Sequence, residues 1–244
     1  MKTTSNEQAA AGVRGEWLKA NLLGFGAGFS LHALVGYALT GPQGFSLSTP
    51  QLATRVAGFL AAGACVALFQ RRALRRIAPG MVAGGALRSA AHALRGGVLC
   101  AAGFLLGFYL FGIPFDHLAG FAALGLSAGL AVRGRGAGPE QWAWTCTVGF
   151  ALAAFVVVMA AVPLYLAGLH EAGLAGHLSL WLTKGVMGGA AAGLLTGPWL
   201  EALSGAAPSG VGAFASPEAI RQSAEGRAML PNAHPLAPAP LNFQ

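Results

Sequence analysis

Residues 141–162 read QWAWTCTVGFALAAFVVVMAAV, and after Glu140 no Asp, Glu, Lys or Arg follows until Glu171. A helix rises about 1.5 Å per residue, so about 20 apolar residues cross a hydrocarbon core roughly 30 Å thick. The stretch therefore predicts a spanning helix over 141–169, with Pro163 kinking or thinning its far end.

The rest of the 244 residues agrees with this start. Hydrophobic residues make up 55% of the chain and charged residues 9%, against about 25% charged in soluble domains. A soluble domain is excluded, and so is a disordered chain, which needs few apolar residues and many charges. The 37 glycines follow no three-residue period, which excludes collagen. The three cysteines, Cys65, Cys100 and Cys146, lie in apolar segments without C-x-x-C spacing. They read as small apolar residues, not as disulfide or zinc ligands.

Working outward from 141–169, five more apolar segments are predicted, at 17–39, 50–77, 89–112, 116–132 and 178–197. Thr49-Pro50 opens the second, Asp116 caps the fourth, and Pro198 kinks or ends the sixth. Residues 1–16 form a polar N-terminal segment. They lack the basic start, short apolar run and small-residue site of a cleaved signal peptide. Residues 17–203 form one membrane domain. Residues 204–244 form a Pro- and Ala-rich tail with a short helix near 217–229.

Charge sets the expected orientation. Lys2, Arg14 and Lys19 come before or open the first segment. Arg71, Arg72, Arg75, Arg76, Arg88 and Arg95 lie between the second and third. Arg133 and Arg135 lie between the fourth and fifth, and Arg221 and Arg227 in the tail. In a six-span chain only Arg55 and Lys184 fall on the other side, so both termini are expected in the cytoplasm. The net charge of +7 is then an orientation signal, and nucleic acid is not expected as a partner. The expected setting is a bacterial cytoplasmic or intracytoplasmic membrane.

The even segments share small-x-x-x-small pairs: Gly63 and Ala67, Gly125 and Gly129, Gly189 and Gly193. The first members stand 62 and 64 residues apart. Segments one and five share Trp followed by Gly-Phe, in Trp17 with Gly24-Phe25 and Trp142 with Gly149-Phe150; segment three keeps Gly103-Phe104. The pattern predicts three tandem helical hairpins of one orientation, as parallel repeats. Small residues let helix backbones approach where burial from water supplies no driving force. Gly28, Gly63, Ala67, Gly125, Gly129, Gly189 and Gly193 are the expected packing positions.

Chemistry is sought among intramembrane ionisable groups. Arg55, Lys184, Asp116, Glu171, His32, His117, His170 and His177 are expected on one side. They read as interface caps and ion pairs. Arg55 and Lys184 are also candidates for an anion or proton path. His32 is a candidate ligand for haem or a (bacterio)chlorophyll-type pigment, with Gly28 one turn away making room for a flat ring. Arg71, Arg72, Arg75 and Arg76 form a basic cluster suited to anionic lipid or an acidic partner. All five tryptophans, Trp17, Trp142, Trp144, Trp181 and Trp199, read as an interfacial belt. No nucleotide-binding, metalloprotease or hydrolase motif is present.

The expected protein is therefore a non-enzymatic membrane subunit with a structural or assembly role in a larger complex. The tail is its candidate contact with other membrane subunits, and no cofactor is expected. A small-solute or ion transporter is the alternative, and a haem- or pigment-binding subunit the third reading.

Overall fold

Ala9-Ala10-Ala11 carries helix-favouring residues straight into the apolar run that begins at Trp17, with no proline to stop the helix. Helix α1 accordingly runs unbroken from Thr3 to Thr40, with no break in the helix at residue 16. The computed structural model describes residues 3–40, 49–79, 82, 84–112, 116–132 and 137–204. The expected tail helix near 217–229 lies outside them. After α1 come α2 (Thr49–Ile77), α3 (Ala86–Phe111), α4 (Asp116–Gly129), α5 (Ala137–Leu166), a 3₁₀ turn (Leu169–Glu171) and α6 (Gly173–Leu203).

Five of the six helices, all but α4, are long and apolar enough to cross a membrane, which makes the chain a helical membrane protein. At 1.5 Å per residue α4 is only about 21 Å long. It ends at Gly129, and two 3₁₀-type bonds, Ala131 N–H to Ala128 O and Val132 N–H to Gly129 O, close its last turn. The expected segment 116–132 is therefore helical only to 129.

Other boundaries also differ from the sequence reading. Pro163 sits in the final turn of α5, which stops at Leu166. Gly168, at φ 75°, takes the left-handed conformation that leads into the 3₁₀ turn. Helix α6 starts at Gly173, before the expected 178, and runs through Pro198 to Leu203. Asp116 is the first residue of α4, and its carboxylate accepts the backbone N–H of His117 instead of capping the helix from outside.

Each helix packs on its neighbours in sequence, and α6 packs back on α1, so the six close into a ring. Neighbours run antiparallel. Gly28, Gly24 and Asn21 of α1 meet Ala62, Val66 and Gln70 of α2. Gly185, Gly189 and Gly193 of α6 meet Phe25, Asn21 and Leu18 of α1. The same reversal holds for α4 and α5, where Gly125 meets Cys146 and Gly129 meets Ala143.

Leu23, Leu34, Leu152, Phe155, Met159 and Leu194 point outward and are exposed, as lipid-facing side chains are. The α1 residues Trp17, Asn21, Phe25, Phe29 and His32 recur every three or four positions, and all are buried. That spacing puts them on one helix face, which looks into the ring. The axis is filled by aromatic side chains. Phe25 lies 5.1 Å from Phe121 and 5.7 Å from Phe150, and Phe59 stacks on Phe104 at 3.7 Å between ring centres.

Candidate functional site

Two groups of polar side chains lie inside the ring, one on each side of this aromatic plug. The first lies toward the end where α1 begins and α6 finishes. Trp17 Nε1 donates to Thr196 Oγ1 at 2.8 Å, linking α1 to α6. Asn21 Nδ2 donates to the Trp17 carbonyl, and Gln70 Nε2 donates to Asn21 Oδ1, both at 2.9 Å. Beyond them Arg14 pairs with Glu201, a carboxylate only 2% exposed. On the far wall Arg95 Nη2 lies 2.9 Å from His92 Nδ1 and donates to the Ser127 carbonyl at 3.2 Å.

Trp17 and Trp142 meet edge to face at 5.6 Å. Both are buried inside the ring, so neither belongs to an interfacial belt; Trp144 and Trp199 are exposed and suit one. Among the described residues, Gln70 Oε1, Ser127 Oγ and the Trp142 indole N–H are buried without a hydrogen-bond partner.

The second group gathers residues from α1, α2, α4 and α6 at the other end. Its hub is Trp181, the expected belt tryptophan. The ring of His32 lies 4.3 Å from it, those of His117 and His177 each 6.3 Å, and the Lys184 ammonium sits 4.4 Å over its face. Trp181 is here because α6 starts five residues before the expected segment. Lys184 is likewise three turns into its helix, not near its end.

His117 Nδ1 donates to Asp116 Oδ1 at 2.6 Å. Asp116 and Arg55 line one cleft between α2, α3 and α4, whose other walls include Leu52, Phe59, Phe104 and Phe108. Arg55, Lys184, His117 and His177 all act electrostatically on His32, and Asp116 and Arg55 act on Lys184, so the cluster is one electrostatic unit. Among the described residues neither Arg55 nor Lys184 has an ion-pair partner. Glu171 lies in the 3₁₀ turn and is exposed. The side chain of His170 lies outside the described residues.

The space expected beside His32 is taken. Gly28 does not open room for a flat ring, because a Cβ there would lie 2.8 Å from the Ala62 carbonyl oxygen of α2. The His32 imidazole is stacked on Phe59 at 4.2 Å, and its Nδ1 edge abuts Gly58. Among the described residues no group of three His, Cys, Asp or Glu side chains is placed to hold a metal ion.

The basic cluster divides. Arg71 is 6% exposed and donates to Ser89 Oγ at 3.1 Å, tying α2 to α3. It is therefore not a free lipid or partner contact. Arg72, Arg75 and Arg76 are exposed, and Arg76 pairs with Glu16 of α1 at 3.1 Å.

At the glycines singled out from the sequence, the space that a side chain would need is occupied by a neighbouring helix. A Cβ at Gly63 would lie 2.5 Å from the Gly96 carbonyl oxygen, and one at Gly189 would lie 2.5 Å from that of Asn21. At Gly125 it would lie 2.6 Å from the Cys146 carbonyl carbon, and at Gly193, 3.0 Å from Leu18 Cα. Ala67 fills the space beside Gly96.

The sequence reading passed over Asn21, Gln70, Thr196 and Glu201 as site residues. For Asn21, Gln70 and Thr196, uncharged polar groups inside apolar segments were the available signal, since such groups bond across helices in a bilayer; Glu201 is charged and lies past the expected end of the sixth segment. Comparison with protein-family models, with curated proteins and with solved structures finds no match to the chain.

Proposed function

We propose that the chain is a non-catalytic membrane subunit with a scaffolding role in a larger membrane assembly. In this reading it has six spans in three tandem hairpins of one orientation, with both ends in the cytoplasm. The observation that carries it is the closed ring whose axis is filled by Phe25, Phe59, Phe104, Phe121 and Phe150. Such a core suits a rigid body better than a conduit. The buried helix α4 completes the even count, sheltered between α3 and α5 so that it can be shorter than the hydrocarbon core.

The repeat reading is supported by equivalent contacts. Gly63, Gly125 and Gly189 meet Cys100, Cys146 and Asn21, and these stand four residues before Phe104, Phe150 and Phe25. The same glycine therefore meets the same level of the next odd helix in each hairpin. The small residues hold the ring through close backbone approach.

The test is the native size of the protein after mild crosslinking in intact membranes, paired with reconstitution of the pure chain. A crosslinked species larger than the chain, together with solute-tight liposomes, is the expected outcome. A monodisperse single-chain protein that moves a solute refutes the scaffold.

A second reading, a small-solute or ion transporter, is favoured by Arg55 and Lys184, two cations without ion-pair partners among the described residues. Flux that vanishes in the double charge-neutral variant would establish it.

A further inference from the structure

The cluster around Trp181 holds more positive charge than it neutralises. With its imidazoles neutral it carries Arg55 and Lys184 against one carboxylate, Asp116, and that carboxylate is already engaged by the ring and backbone N–H groups of His117. Lys184 rests on the Trp181 face, and Arg55 lines an otherwise mostly apolar cleft. A cation removed from water is costly unless a counter-charge accompanies it. A tryptophan face offsets only about 0.5–2 kcal/mol of that cost.

We infer that this end of the ring is a binding site for a small monovalent anion, held by Lys184 and Arg55 beside Trp181. Arg55 and Asp116 line the cleft between α2, α3 and α4, where Phe59, Phe104 and Phe108 form much of the wall, and Lys184 comes from α6 over the Trp181 face. Aromatic walls give little to replace a hydration shell, so they select against strongly hydrated anions. Bromide and nitrate enter; sulfate and fluoride do not. Asp116 adds to this selection by repelling a second negative charge. The inference names the ligand class that the transporter reading would need, but it concerns binding, and the site stands whether or not the chain moves a solute.

The experiment uses the full chain in a neutral detergent, in sodium gluconate at constant ionic strength. Gluconate is replaced stepwise by bromide, nitrate or sulfate, and thermal unfolding is followed. The expected result is a saturable rise in melting temperature with bromide and nitrate and none with sulfate. In Lys184→Met the rise disappears, and the variant melts at the same temperature in bromide and gluconate. In Arg55→Gln the half-saturating bromide concentration rises at least tenfold. If Lys184→Met does not fold, Arg55→Gln decides alone.

A headgroup phosphate is the other source of the same charge. Nanodiscs of phosphatidylglycerol then stabilise the parent over phosphatidylcholine but leave Lys184→Met unchanged, and dissolved bromide adds nothing. That result supports the site with a lipid as its anion. No anion-specific response in either setting, or a response that persists in Lys184→Met, overturns the inference. Liposome flux is measured separately, so binding without transport removes the transporter reading and leaves the site.

Discussion

Replacing Gly125 with alanine adds one methyl group at the closest point between α4 and α5. That methyl would lie 2.6 Å from the Cys146 carbonyl carbon and 2.9 Å from Thr147 Cα. Carbon atoms pack at about 3.5–4.0 Å, so the two backbones must separate by roughly 1 Å. No flexible side chain can move aside, because the obstructing atoms belong to a helix backbone. Overpacking of this kind costs about 1–3 kcal/mol.

Alanine also favours a helix over glycine by about 1 kcal/mol, and the two effects have to be separated. Gly15→Ala supplies the reference. Gly15 is also helical, and a Cβ there meets nothing within 4 Å. The difference between the two variants isolates the packing term, expected at about 2 kcal/mol against Gly125→Ala. Reversible unfolding in mixed dodecylmaltoside and SDS micelles measures it. If both variants unfold at the same SDS fraction, the close approach at Gly125 does not hold the ring.

Gln70→Ala leaves the Asn21 side-chain oxygen without its donor in a buried position, so a loss of about 1–3 kcal/mol is expected in the same assay. The Asn21→Ala, Gln70→Ala double-mutant cycle should show coupling, and strict additivity would argue against the bond. Arg14→Ala strands the buried Glu201 carboxylate and should cost more than Arg76→Ala. The latter breaks an exposed pair with Glu16 and should stay within about 1 kcal/mol; the reverse order of midpoints would contradict the burial of Glu201. A cysteine at Glu171 should react with an impermeant maleimide added outside intact cells, and one at Arg76 only after lysis. Labelling of both from outside would reject the proposed orientation.

The order of helices was legible because apolar runs in lipid are long and their charged breaks are short. Their ends were less so, since a helix need not stop where apolarity stops. Ala9-Ala10-Ala11 continues α1 far beyond Trp17, and Gly173 starts α6 more than a turn early. Those few residues decide whether Trp181 and Lys184 meet the membrane interface or the ring interior.

Arg71 could have been separated from Arg72 and Arg76 by helical period. It falls one turn after Ala67 and two after Gly63, on the face that packs inward, whereas Arg72 and Arg76 turn outward; Arg75 continues the same series but is exposed in the last turn of α2. The polar cluster around Trp181 was visible as a set of residues on one side. Its convergence was not, because it depends on α6 folding back against α1, and no local pattern records a contact between the two ends of a chain.

That end-to-end contact orders the protein's synthesis. Helix α1 enters the membrane first, yet its Trp17 indole finds Thr196, and its Arg14 finds Glu201, only after α6 has left the ribosome. Until then a tryptophan N–H bond is unmade and the backbone surface at Asn21 and Phe25, which receives Gly189 and Gly185, lies open. Five helices without the sixth leave the α6-facing sides of α1 and α5 uncovered. Translation to the end of α6 is thus the event that seals the molecule.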